Sequence, residues 1–185
     1  MNKSNSGSLI IKLSAILLLV CAVVAGVLGV IDHITADRIA QQKRDKTFAA
    51  YAAILPAESY ETVSFDEASY STVDIIEKAS GGEGYVVQTT FSGAQGMITM
   101  VVGVKESGAK FKCSGISIIS HSETSGLGAV AASASERGES FRSSFVGKDE
   151  NIRFTDIDAI SGATITSKAV TNAVSTAIKA VESIA

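Results

Sequence analysis

The sequence predicts an α+β domain behind one N-terminal transmembrane helix, with a mostly antiparallel twisted sheet packed by helices. Three observations predict it: an uncharged apolar run near the N-terminus, four β-rich segments separated by short glycine-bearing links, and an amphipathic repeat at the C-terminus. The 185 residues are 46% hydrophobic and 19% charged, a composition too apolar for a disordered chain. A net charge of -3, with no Lys/Arg block set among aromatics, excludes a nucleic-acid surface, which needs a clustered positive field.

Residues 1–12 are expected to form a short tail and residues 13–31 the membrane helix. From Leu13 to Ile31 the chain reads LSAILLLVCAVVAGVLGVI, with Lys3 and Lys12 before it and Asp32, His33, Asp37 and Arg38 after it. At about 1.5 Å per residue this run approaches the ~30 Å hydrocarbon thickness, and Leu9 to Ile11 lengthen it where Lys12 snorkels. A cleaved signal peptide is the competing reading, with Val23 and Ala25 placed as a cleavage site before Gly26. The uncharged run overshoots a signal core, which favours a retained anchor. Val20 is too large before Cys21 for a lipoprotein site. Arg38, Lys43, Arg44 and Lys46 outnumber Lys3 and Lys12, so flanking charge leaves the orientation open.

Residues 32–56 read as a stalk helix, with Ile39, Phe48, Tyr51 and Leu55 near helical spacing and Pro56 as its stop. Residues 57–185 form the folded domain. Its strands are VDIIEKA, GYVVQTTF, MITMVVGVK and FKCSGISIIS, linked by GGEG, SGAQG and ESGAK. Links this short cannot hold helical crossovers, so neighbouring strands run antiparallel. After the loop HSETSGLGA comes a helix with Phe141 and Phe145 on one face, then a short strand near Ile152 to Phe154. The last segment, KAVTNAVSTAIKAVESIA, repeats Val170, Ala173, Val174, Ala177, Ile178, Val181 and Ile184 at helical steps.

Cys21 and Cys113 are the only cysteines, one in the apolar run and one in a strand, and neither stands at metal-ligand spacing from a histidine. No thiolate metal, haem or iron–sulfur site is expected. The informative place is the start of the last helix. Ser161, Thr164, Thr166 and Ser167 bring four hydroxyls to one turn, and Gly162 and Ala163 leave the backbone open to a bulky group. The first amides of a helix lack partners and carry the positive end of its dipole, which suits a phosphate. The plainer use of such hydroxyls is to cap the helix, and spacing alone favours it.

The string DAISGATITS, Asp158 to Ser167, resembles the flavinylation motif of an FMN-binding domain family. That family includes the G subunit of Rnf ion-translocating oxidoreductases and the C subunit of the sodium-pumping NADH:quinone reductase. HSETSGLGA resembles the family's HxETPGLG loop, matching Glu123, Thr124, Gly126, Leu127 and Gly128 but placing Ser125 where the family has proline. The resemblance covers essentially the whole chain, and its length is nearer the Rnf protein.

The resemblance implies FMN joined through a phosphoester to Thr164, with Ser161, Gly162, Ala163, Thr166 and Ser167 around the phosphate. His121, Glu123, Thr124, Gly126, Leu127 and Gly128 would border the flavin, although a histidine before a glycine loop also serves to satisfy backbone groups. It implies a separate flavin transferase that uses FAD and reads Asp158, whose plain reading is a solvated turn acid. No residue of the chain is expected to be catalytic, since the cofactor does the redox work. The implied setting is the cell (inner) membrane, single-pass, N-terminus inside and domain extracytoplasmic, among lipid and the other membrane subunits of an Rnf-type complex. Two alternatives stay open: a stand-alone anchored flavin domain, and a non-redox scaffold in which SGATITS only caps and HSETSGLGA only turns.

Overall fold

A single helix, α1, runs from Lys3 to Ile54, so the expected anchor and stalk share one helix that starts within the expected tail. The computed structural model describes residues 3–81, 84–108 and 110–185; Met1 and Asn2 of the tail and parts of the GGEG and ESGAK links lie outside them. The chain divides into two compact units, residues 1–44 and 45–185. In the first, the leucines and valines from Leu9 to Ile31 are all exposed. Among the described residues this is the one helix long and apolar enough to cross a membrane. Such a surface needs covering, and a bilayer covers it without shape-specific packing.

Among the described residues the second unit is built on five strands: β1 (Tyr60–Val63), β2 (Val73–Ala79), β3 (Tyr85–Ser92), β4 (Met97–Ser107) and β5 (Lys110–His121). They pair antiparallel in sequence order, as the short links require. The four expected strands become five because β1 is four residues with one small apolar side chain, too brief and polar to stand out by pattern. It pairs at the sheet edge, Tyr60 opposite Ala79 and Val63 opposite Ile76.

Side chains alternate between faces. On one face Val87, Met100, Val102, Val104 and Cys113 bury against Val170, Val174, Ala177, Ile178 and Val181 of α3 (Thr164–Glu182). The expected middle helix, α2, spans only Glu136–Ser143. Phe145 therefore lies past its end, yet still meets Phe141 edge to face at 5.1 Å. On the opposite face Ala79, Val86 and Val101 bury Ala50, Tyr51 and Leu55. The last turns of α1 are thus part of the domain's core. Gly103 permits this approach, since a Cβ there would overlap Ile54 and Ser114.

The strand expected near Ile152 to Phe154 is absent. Phe154–Asp156 forms a 3-10 turn instead. Asp156 accepts the Arg153 amide at 2.9 Å, which satisfies locally a donor that a strand would have offered to a neighbour.

Candidate functional site

Helix α3 begins at Thr164, so three of the four hydroxyls are helical and Ser161 lies before it. Its N-cap is Ala163 (φ -126°, ψ 44°), with no side-chain capping bond and no acid in the first turn. No side chain caps the helix at Ala163, which leaves its first amides without a capping partner. Thr164 is exposed, as is Ile165 beside it, whereas Thr166 and Ser167 are fully buried. At 3.6 residues per turn each residue advances about 100°, which aligns Thr166 and Ser167 with the core stripe of Val170 and Val174 and leaves Thr164 with Lys168 outside it. Thr166 Oγ1 donates to Glu123 Oε2 at 2.8 Å. Ser167 Oγ accepts the Ile160 amide at 3.2 Å.

Before the helix, Ala163 N donates to Ile160 O at 3.0 Å, with Gly162 at φ +80°. This fits a type II turn, in which the third residue must be left-handed. The preceding loop repeats the device: Leu127 N donates to Thr124 O at 3.2 Å, and Gly126 has φ +77°. The two turns touch, since a Cβ on Gly162 would lie 3.1 Å from Leu127 Cδ2. Thr124, Ser125, Gly126, Leu127 and Ser161 are all exposed. Together with Thr164 and Ile165 they offer hydroxyls, open backbone and two apolar side chains.

Beneath this surface lies Glu123, buried to 9% exposure. Its Oε1 accepts the Ala94 and Gln95 amides at 2.8 and 3.2 Å. One carboxylate thereby joins the β3–β4 turn, the 121–128 loop and the first turn of α3. Glycine makes room on both sides: a Cβ on Gly93 would overlap Glu123 Oε1, and one on Gly128 would overlap Glu123 Oε2. Sequence reasoning misses the β3–β4 turn as part of the site; SGAQG reads as a plain hairpin link, and only its two glycines hint at a close neighbour.

Asp158 stands apart from this cluster, and His121 meets it through the Glu123 backbone. The half-buried His121 accepts the Glu123 amide on Nδ1 at 3.3 Å, which fixes the Nδ1 lone pair as the acceptor. It lines a groove of about 500 Å³ with Lys46, Ala49, Ser117, Ile119 and Ala132 among others, and with none of residues 158–167. Asp158 is exposed and accepts from Ser140 Oγ at 3.3 Å. Lys168 lies over the Phe154 ring at 5.4 Å, one turn into α3.

This arrangement can receive an anion at an open helix end and present a hydroxyl to it. Among the described residues no side-chain base is hydrogen-bonded to Thr164 Oγ1.

Comparison with known proteins adds two family matches, the FMN-binding domain over residues 93–179 and the RnfG N-terminal region over residues 1–54. The G subunit of the sodium-translocating ferredoxin:NAD+ oxidoreductase complex of Acetobacterium woodii is 31% identical over 196 residues, covering 92% of this chain and 90% of its own. The G subunit of the proton-translocating ferredoxin:NAD+ oxidoreductase complex of Clostridium ljungdahlii is 30% identical over 98% of this chain and 96% of its own. The G subunit of the ion-translocating oxidoreductase complex of Methanosarcina acetivorans is 28% identical, covering 91% and 93%.

Proposed function

This chain belongs to the family of G subunits of ion-translocating oxidoreductase complexes, and from that premise we propose that it is an electron-transfer subunit holding FMN covalently on Thr164. The observation that carries the covalent step is the start of α3: a helix end with no side-chain cap whose first residue is an exposed threonine. The residues present fit the cofactor. Backbone amides of residues 164–166 suit the phosphate. Gly162, at φ +80°, keeps the approach clear, with Ser161 and Ala163 beside it. The exposed Leu127 and Ile165 give an apolar border for a flavin ring, and Thr124 and Gly126 complete that border. The bound flavin would supply reversible electron transfer that no side chain here supplies.

Attachment requires Thr164 Oγ1 to attack the FMN phosphorus of FAD, displacing AMP and losing its proton, with no change of oxidation state. A flavin transferase supplies the base and the FAD, and the exposed Asp158 is positioned for it to read. A phosphoester does not dissociate, so occupancy becomes independent of dissolved FMN. That advantage is greatest outside the cytoplasm, the side to which this reading assigns the domain. The single apolar helix is then a retained anchor, N-terminus inside, in contact with lipid and with the other proteins of the complex.

The deciding experiment is intact mass spectrometry of the full chain coexpressed with a flavin transferase. Wild type is expected to gain one FMN phosphoryl adduct and fluoresce after denaturing electrophoresis; Thr164→Ala is expected to do neither. An unmodified wild type, or an adduct that survives Thr164→Ala, refutes the proposal.

A further inference from the structure

We infer that Glu123 is a positioning residue, which sets the flavin-bearing turn through Thr166 and does not itself touch the flavin. The inference rests on Thr164 being the modified residue and gives a different role to a carboxylate in the matched loop. Three donors already occupy Glu123: the Ala94 and Gln95 amides on Oε1 and the Thr166 hydroxyl on Oε2. It is buried, and the space on either side of its carboxylate is closed by Gly93 and Gly128, where even a methyl group would not fit. A ligand group has no room to reach it.

The bond to Thr166 lies two residues from Thr164, within the first turn of α3. Because the helix has no side-chain cap, this bond is the side-chain restraint that ties its first turn to another segment, while Ser167 ties back to residue 160 just before it. Holding Thr166 inward fixes the phase of that turn, and the phase keeps Thr164 Oγ1 outward. Misplacing a reacting atom by about 1 Å costs on the order of a hundredfold in rate, so loosening this restraint is read as slower attachment.

The test follows FMN transfer onto the full chain by mass against time, using FAD and a flavin transferase. Thr166→Val, which keeps the shape and loses the donor, is expected to slow attachment at least tenfold, and Glu123→Ala similarly. Thr166→Ser restores most of the rate lost in Thr166→Val. The double variant Glu123→Ala/Thr166→Val is no slower than the slower single, because the bond that Thr166→Val removes is already gone in Glu123→Ala. Val174→Ala, a core truncation elsewhere on α3, lowers thermal stability and leaves the rate within twofold, which separates positioning from loss of fold. Wild-type rates in Thr166→Val, multiplicative losses in the double variant, or rates that track melting temperature across the set would overturn the inference. Amide hydrogen exchange on the unmodified chain keeps this apart from the flavin assignment. Thr166→Val should speed exchange of the Ser167 amide, which donates to Ala163 O across the first turn, more than tenfold while leaving β4 unchanged, and unchanged Ser167 exchange overturns the inference even where wild type takes no FMN.

Discussion

Gly128→Ala isolates the packing around Glu123. Gly128 is not among the left-handed glycines, so alanine meets no backbone penalty and would ordinarily gain about 0.4–1 kcal/mol by restricting the unfolded chain. The structure reverses the sign. The new methyl overlaps Glu123 Oε2 and lies 2.8 Å from Thr166 Oγ1 and 3.0 Å from Glu123 Cβ. Forcing it in costs about 1–3 kcal/mol as overpacking. If Glu123 withdraws instead, the Ala94 and Gln95 amides and Thr166 lose their acceptor, at about 1–3 kcal/mol per buried group and less for the two exposed turn residues. The net expectation is a loss of about 1–3 kcal/mol, which for a domain this size lowers the melting temperature by roughly 3–10 °C. Near-ultraviolet circular dichroism of the solubilised full chain reads this through packed tyrosines and ignores the anchor helix. A melting temperature equal to or above wild type would refute the packing argument.

The same loop predicts the opposite effect at its neighbour. Ser125 is the second residue of the turn closed by Thr124 and Leu127, with Gly126 at φ +77° in the third, the setting that favours proline; Ser125→Pro should raise stability by about 0.4–1 kcal/mol in the same melt, and a loss would show that the turn is of another type. Tyr51, 3% exposed and edge-on to Tyr60 at 5.2 Å, should cost about 3–5 kcal/mol when changed to alanine and much less as phenylalanine. Burial first, and Glu77 second, raise the Tyr51 pKa, so the folded state holds its proton more tightly. That contribution to stability is complete below pH ~10, the unfolded value, and is lost above it; Tyr51→Phe should flatten the alkaline limb of the stability profile. Burial also pushes the Cys113 thiol up to about 12, so in a Cys21→Ser background an alkylating reagent at pH 8 should label the denatured chain and spare the folded one.

Much of the fold is legible because its signals are periodic. The stripe of α3 follows from spacing alone, and the antiparallel order of β2 to β5 follows from links too short to cross over. What is not legible depends on partners distant in sequence. Strand β1 is defined by the neighbour it pairs with, Tyr60 facing Ala79. The end of α1 reads as stalk because the spacing of Phe48, Tyr51 and Leu55 shows a helix but not what it packs against. Its burial comes from Val86 and Val101 on the sheet and from Gly103, which lets Ile54 approach. The strand expected at residues 152–154 fails for the converse reason. Its composition suits a sheet, but the Asp156 side chain closes the backbone into a local turn first.

The hydroxyl string is readable further than its composition. Residues two apart on a helix point about 200° apart, so Thr164 and Thr166 cannot share a face once both are helical. Projected onto the stripe of Val170, Val174 and Ala177, Thr166 and Ser167 must turn inward and Thr164 outward. The sequence-level choice between capping and ligand binding therefore divides by position. The two inward hydroxyls hold the turn, one to Glu123 and one to the Ile160 amide, and the outward one is left for chemistry. What the projection cannot supply is Glu123 itself, because its three donors come from segments 28, 29 and 43 residues away. Its role follows from tertiary contact, with Gly93 and Gly128 as the trace of it in the sequence: two glycines, neither required by a turn's φ, where any larger residue would strike one carboxylate.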